Sequence, residues 1–166
     1  MTKEKRPELF FDLAKKIPDY KFRMIITSLR SNKDYYKKIK EIAEKLDNLE
    51  IIENVPNKEI SRYYMESLVF ISTSISEGFP NTFLESWGNA IPVVSLGFDP
   101  DEIICKYELG FHSKTFNDLV NDTHRLLENE ILRQEMGIKA KNYVLREHNV
   151  SKIINEYERL INDKTG

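Results

Sequence analysis

The sequence predicts an α/β domain, a parallel sheet with helices on both faces, that is expected to lack its first strand. Three observations carry that expectation. Short β-rich runs alternate with longer helical patterns across brief connections, the arrangement of βαβ units. Two of those runs, "SLVFISTS" (67–74) and "IPVVSL" (91–96), are nearly continuous in apolar residues, as strands covered on both faces are. The first element is a helix, whereas the first strand of a doubly wound sheet lies at its centre.

Residues 7–17 open with Pro7, suited to a first helical turn, and place Leu9, Phe10, Leu13, Ala14 and Ile17 on one stripe. "KFRMIITSL" (21–29) reads as a strand. Residues 33–46 carry Tyr36, Ile39, Ala43 and Leu46 at helical spacing, and their lysines interleave with acids as on a solvated face. "NLEIIENV" (48–55) is the next strand, and residues 58–66 form a short helix around Ile60 and Tyr64. After the strand 67–74 a helix covers 81–89, ending near Gly88-Asn89, and the strand 91–96 follows. Asp99 as N-cap, with Pro100 at the first helical position, starts a helix over 100–107. "LGFHSK" (109–114) is a weaker strand, followed by helices over 116–128, 130–147 and 151–163. Ser151 caps the last of these, and Ile153, Ile154, Tyr157, Leu160 and Ile161 form its stripe. With no repeat, low-complexity tract or linker, 1–166 reads as a single domain.

Composition excludes several classes. Twenty-five basic residues oppose 27 acidic ones, so the electrostatic footprint of a nucleic-acid binder is missing and no nucleic-acid partner is expected. No apolar run approaches the roughly 20 residues of a membrane span, and the charged start "MTKEKRPELFF" has no leader-like apolar segment. A cytoplasmic chain without direct membrane insertion is the expectation. The one cysteine, Cys105, permits no internal disulfide and reads as a buried small hydrophobe. His112, His124 and His148 include no pair at metal-ligand spacing, so no metal site is expected.

The chemistry concentrates in "SISEGFPNTFLESWGNAIPVVSLG" (74–97), where Glu77 and Glu85 stand on either side of a turn. Residues 74–80 leave the carboxyl end of a buried strand, where α/β sheets bind ligands. Gly78 permits backbone angles closed to other residues and close approach of a ligand, while Pro80 is rigid. A helix starting near Asn81 or Thr82 aims its free N–H groups at the crevice and forms an anion site suited to phosphate. A carboxylate accepts two hydroxyl hydrogen bonds, so Glu77 and Glu85 could each clamp a sugar diol. A phosphate flanked by two such clamps describes a nucleotide sugar. The spacing alone leaves another reading open, in which Thr82-x-x-Glu85 is a capping box and Glu77 a surface acid.

The stretch "SEGFPNTFLESWGNAIPVVSL" resembles the E-x7-E motif of the retaining GT-B glycosyltransferases of group 1 (glycosyltransferase family 4), with Pro92-Val93-Val94 after the helix. The flanks "EKRPELFFDLAKKIPDYKF", "VPNKEISRYYMESLVFISTS" and "LRQEMGIKAKNYVLREHNV" resemble the same family in the same order. The resemblance covers only the family's C-terminal, Rossmann-like, donor-binding domain, which implies an N-terminal acceptor-binding domain as partner in a parent enzyme. It implies that Glu77 is catalytic, contacting donor-sugar hydroxyls nearest the reacting face, and that Glu85 binds the ribose. It places Gly78, Phe79 and Pro80 at the turn facing the sugar. Asn81 opens the helix, and Thr82, Phe83 and Leu84 are the positions whose amides meet the diphosphate. Lys5 would pair with the phosphates, and the segment Ile52–Val55 would pack the base. No cofactor or metal is implied, since a Lys/Arg pair serves instead, and the donor would be a UDP- or GDP-type sugar. The sequence departs from the pattern in lacking the partner arginine upstream of Lys5. It also has Thr27 or Ser28, Glu53 and Ala90 where the family has glycine, and Arg30 stands near the phosphate side.

The resemblance implies a sugar transferase acting on a glycan or lipid-linked acceptor in polysaccharide biosynthesis, the isolated chain binding donor without catalysis. The alternative is a non-catalytic interaction module that kept the fold, its open sheet edge filled by another chain. No G-x-S-x-G, P-loop or G-x-G-x-x-G points to another α/β enzyme.

Overall fold

The structure is a computed structural model and describes residues 3–26 and 33–148. The expectations on Thr27, Ser28, Arg30 and the helix 151–163 fall outside the described residues.

Five strands and seven α-helices alternate along the described chain. They are α1 (Pro7–Lys16), β1 (Phe22–Ile26), α2 (Lys33–Ala43), β2 (Leu49–Glu53), α3 (Asn57–Met65) and β3 (Phe70–Ser72). The series continues with α4 (Asn81–Gly88), β4 (Val93–Leu96), α5 (Ile103–Tyr107), β5 (Gly110–Ser113), α6 (Phe116–Glu128) and α7 (Glu130–Glu147). All strand pairs are parallel. β1 pairs with β2, Phe22 opposite Leu49 and Ile26 opposite Glu53. β4 lies between β3 and β5, with Ser95 opposite both Ser72 and His112.

The helices cover both faces, and β4 shows why. Its side chains alternate between faces, and all four residues are buried. Val94 joins a core cluster with Phe10, Leu13, Ile39 and Leu119, from α1, α2 and α6. Val93 joins a second cluster with Phe83, Trp87, Ile104 and Tyr143, from α4, α5 and α7. The stripe expected on 7–17 is borne out by Phe10, Leu13, Ala14 and Ile17, all in the core. Asn48 fixes the end of that helix, its amide donating to the Ala14, Ile17 and Tyr20 carbonyls at 2.9, 3.2 and 3.1 Å.

Among the described residues no strand joins β1 to β3. Both strands border one groove of ≈ 320 Å³, lined by Met24, Ile25 and Ile26 on one side and Phe70, Ile71 and Ser72 on the other. β3 was expected to be covered on both sides, yet Phe70 and Ile71 are only half-buried, because they border this groove.

The helix expected over 100–107 is broken. Residues Pro100–Glu102 form a 3₁₀ turn, and Asp101 and Glu102 take left-handed backbone angles before α5 begins. Asp99 caps α5 rather than that turn: its carboxylate accepts the Ile104 and Cys105 amides at 2.8 and 3.1 Å. Cys105 was expected to be buried and is exposed; Ile104 takes the inward position of this short helix. Ala90 also sits in the left-handed region, at φ 60°. That conformation costs a residue with a Cβ roughly 1–2 kcal/mol, partly offset by the chain entropy of glycine. Ala90→Gly is therefore expected to stabilise the fold by about 0.5–1 kcal/mol, read as a raised midpoint in urea unfolding. No helix among the described residues is long and apolar enough to cross a membrane.

Candidate functional site

The site is built where residues 4–6 meet the carboxyl ends of β3 and β4. The Ile75 amide donates to the Glu4 carbonyl at 3.0 Å. The Thr73 hydroxyl sits 2.7 Å from the Lys5 carbonyl and 3.1 Å from that of Arg6. Arg6, in a left-handed conformation at the N-cap of α1, turns its guanidinium inward. It donates to the carbonyls of Thr73 at 2.6 Å, Ser74 at 3.2 Å and Leu96 at 2.9 Å. One side chain thus ties the ends of two strands to the segment that carries Lys5.

The consequence is a direct pairing of two expected site residues. Lys5 Nζ lies 2.6 Å from Glu77 Oε1, with the lysine half-exposed and the glutamate mostly covered. A pair this open is worth at most about 1 kcal/mol, so an incoming phosphate can draw the ammonium away. Lys5, Glu77 and Thr82 border the same groove that separates β1 from β3.

α4 begins at Asn81 with Pro80 as its N-cap, and no side chain caps it. The capping-box reading of Thr82 and Glu85 therefore fails. Glu85 is exposed, and its Oε2 accepts the Tyr64 hydroxyl at 3.0 Å. Burial, with the Glu85 charge and hydrogen bond behind it, holds the Tyr64 phenol well above its ordinary pKa. It stays protonated and serves as a fixed donor, which orients the carboxylate.

The expected contact of the Phe83 amide with a phosphate is corrected. The Phe83 amide is taken by the Pro80 carbonyl at 3.0 Å, and its ring is in the core against Trp87, so neither is offered to a phosphate. The amides of Asn81 and Thr82 are the ones at the open end of the helix. Leu84 packs against the second core cluster. The Phe79 ring, still 37% exposed, leans on Trp87 and His148 at centroid distances of 6.3 and 5.3 Å, and its backbone is the part expected to face the sugar. Pro80 is buried. Gly78 has no left-handed φ, and a Cβ added there would meet nothing within 4 Å. Neither conformation nor packing requires glycine there, and what distinguishes the position is open space beside Glu77. Val55 lies half-buried between β2 and α3 and is not among the residues bordering the Lys5–Glu77 groove.

Two contributors were not foreseen. Arg6 acts through carbonyls 67 to 90 positions away, which no local pattern signals. Tyr64 was expected only as a helix-stripe residue, and its hydroxyl gave no separate sign.

Comparison with known proteins gives the same outline. Residues 1–143 match the family "Glycosyl transferases group 1". A trehalose synthase of Thermococcus litoralis is 26% identical over 163 residues, covering 93% of this chain and 39% of that protein. The glycosyltransferase 1 domain-containing protein 1 of Xenopus tropicalis is 24% identical over 128 residues, covering 76% and 37%. The chain thus spans well under half the length of these relatives. The C-terminal domain of a group 1 glycosyl transferase, LpcC, from Francisella tularensis shares the fold at TM-score 0.76 and 22% identity, covering 90% of this chain and 83% of that one. HepE of Anabaena, solved with UDP-glucose, aligns at TM-score 0.80 and 15% identity, covering 98% and 46%. On the extent of its family match, this chain belongs to the glycosyl transferases group 1.

Proposed function

We propose that the chain is the donor-binding domain of a retaining glycosyltransferase that moves a hexose from a nucleotide diphosphate to a glycan or lipid-linked acceptor. An N-terminal acceptor-binding domain would complete the enzyme. The setting would be cytoplasmic, at the inner face of a membrane in the parent enzyme. The observation that carries the reading is the Lys5–Glu77 pair beside the uncapped start of α4, with Glu85 held by Tyr64.

In this reading the diphosphate sits at the Asn81 and Thr82 amides, in the positive field of the helix end. Lys5 leaves Glu77 for the phosphates and offsets charge that develops on the leaving group, a role that needs no metal ion. Glu77, freed from Lys5, accepts hydroxyls of the donor sugar near the reacting carbon, and Glu85 accepts those of the ribose. Supporting the assignment to a nucleotide sugar, the Anabaena relative of the same fold was solved with UDP-glucose.

Gly78→Ala tests it without disturbing the fold, because the new methyl enters open space. Unfolding free energy is expected to stay within about 0.5 kcal/mol of the parent. In saturation-transfer NMR with a UDP-sugar, the sugar protons are expected to lose their signal while ribose protons keep theirs. Equal signals in variant and parent would place the sugar elsewhere.

A second reading is favoured by the edges of β1 and β3 that face the groove and pair with no other strand among the described residues, an interaction module whose groove takes a strand of another chain. Light scattering separates the two, since that reading predicts a concentration-dependent dimer and the first a monomer that binds nucleotide.

A further inference from the structure

We propose that Asp99, Cys105 and His112 form a binding site for a divalent transition-metal ion of the zinc class, at the carboxyl ends of β4 and β5 and separate from the residues assigned to the donor. Each residue offers one ligand atom, and the three atoms lie within 4.8 Å of one another. Ligand atoms around a tetrahedral zinc ion stand roughly 3.3–3.8 Å apart, given bonds of about 2.0–2.3 Å. Side-chain rotations of about 1 Å therefore bring this set to bonding distance.

Asp99 is the fixed member of the set. The Asp99 side chain is only 2% exposed, and its Oδ2 lies 4.0 Å from His112 Nδ1. The two amides that it accepts at the start of α5 fix its direction while leaving lone pairs unused. The His112 ring is mostly covered, and Lys114 Nζ, which can only donate, lies 2.9 Å from its Nδ1, so in the neutral ring that nitrogen carries a lone pair. The Cys105 side chain is exposed, and its sulfur lies within 4.8 Å of the Asp99 and His112 ligand atoms. Asp99 and Cys105 are brought together by the break at Asp101 and Glu102, and parallel pairing of β5 with β4 delivers His112.

A cation lies beside one of the three groups. Lys114 Nζ lies 2.9 Å from His112 Nδ1, on an exposed side chain that can swing into solvent. A cavity of ≈ 680 Å³ opens onto the cluster, bordered also by Phe98, Glu102 and Lys106. It leaves room for water as a further ligand. A thiolate, an imidazole and a carboxylate together favour zinc, cobalt or nickel over magnesium or calcium, which take oxygen ligands. On binding, the Cys105 S–H bond breaks, its proton passes to solvent, and sulfur binds as thiolate.

The test is titration of the reduced chain with cobalt(II), whose thiolate-to-metal charge-transfer absorption reports a Co–S bond directly. The parent is expected to develop this band saturably, and added zinc is expected to remove it. Cys105→Ser and His112→Ala, each checked for native circular dichroism, are expected to abolish or strongly weaken it. Lys114→Met is expected to shift the midpoint to lower cobalt by roughly tenfold, the order of effect of removing one like charge beside a divalent ion. The proposal is overturned if the folded parent gives no band at millimolar cobalt, if the band survives Cys105→Ser, or if Lys114→Met weakens binding.

Discussion

Replacing Glu85 with glutamine is expected to weaken nucleotide binding by roughly ten- to hundredfold, with little change in stability. The size follows from the chemistry: hydrogen bonds to a charged group are worth about 1.5–3 kcal/mol, and 1.4 kcal/mol is tenfold in Kd. Glutamine keeps a carbonyl oxygen for the Tyr64 hydroxyl, so the buried phenol retains its partner. Glu85→Ala removes that acceptor as well, and is expected to cost about 1–2 kcal/mol of folding stability besides. Tyr64→Phe leaves the carboxylate in place but unoriented, and should weaken nucleotide binding less than either Glu85 variant. Glu77 is expected to behave differently. Its removal frees Lys5, so free nucleotide should bind about as before, while the extra affinity from the donor sugar is lost. Equal loss of free-nucleotide binding in Glu77 and Glu85 variants, read by calorimetry with UDP and GDP, would contradict these roles.

Arg6→Met is expected to be the most destabilising of the changes considered. The guanidinium satisfies three carbonyls at the ends of β3 and β4, and methionine satisfies none. Leaving partly buried carbonyls unpaired costs about 1–3 kcal/mol each, moderated here by water reaching a half-covered site. A loss of about 2–4 kcal/mol follows, or a fall in Tm of roughly 4–16 °C at about 2–4 °C per kcal/mol for a chain of this size. Because residues 4–6 also position Lys5 beside Glu77, donor affinity should fall with it. A thermal scan with a shift under about 2 °C would show that the strand ends do not depend on Arg6.

Much of the fold is legible in the sequence because its elements follow local rules. The apolar stripe of α1 and the unbroken "PVV" of β4 place themselves by periodicity, and both occupy the core. The capped start of α6 adds Thr115, whose hydroxyl and Asp118 close a capping box, within a helix whose bounds were expected. The misses are tertiary. The left-handed residues Asp101 and Glu102 interrupt a pattern that reads as one helix, and the interruption is what exposes Cys105 and brings it to Asp99. Phe83 lies in a motif that points to a ligand, but aromatic packing against Trp87 takes its ring into the core. The pairing of Glu77 with Lys5 crosses 72 positions and depends on Arg6, whose partners are backbone atoms with no residue-type signature.

The proposed function has this chain hold a nucleotide sugar through Glu77, Glu85 and Lys5 at the start of α4. Calorimetric titration with a panel of UDP-, GDP- and ADP-sugars tests it most directly. Saturable binding to at least one of them is expected, tighter than to its free nucleotide and weakened roughly ten- to hundredfold in Glu85→Gln. A folded chain that gives no binding heat with any of them at millimolar concentration, or that binds equally well without the Glu85 charge, would contradict it.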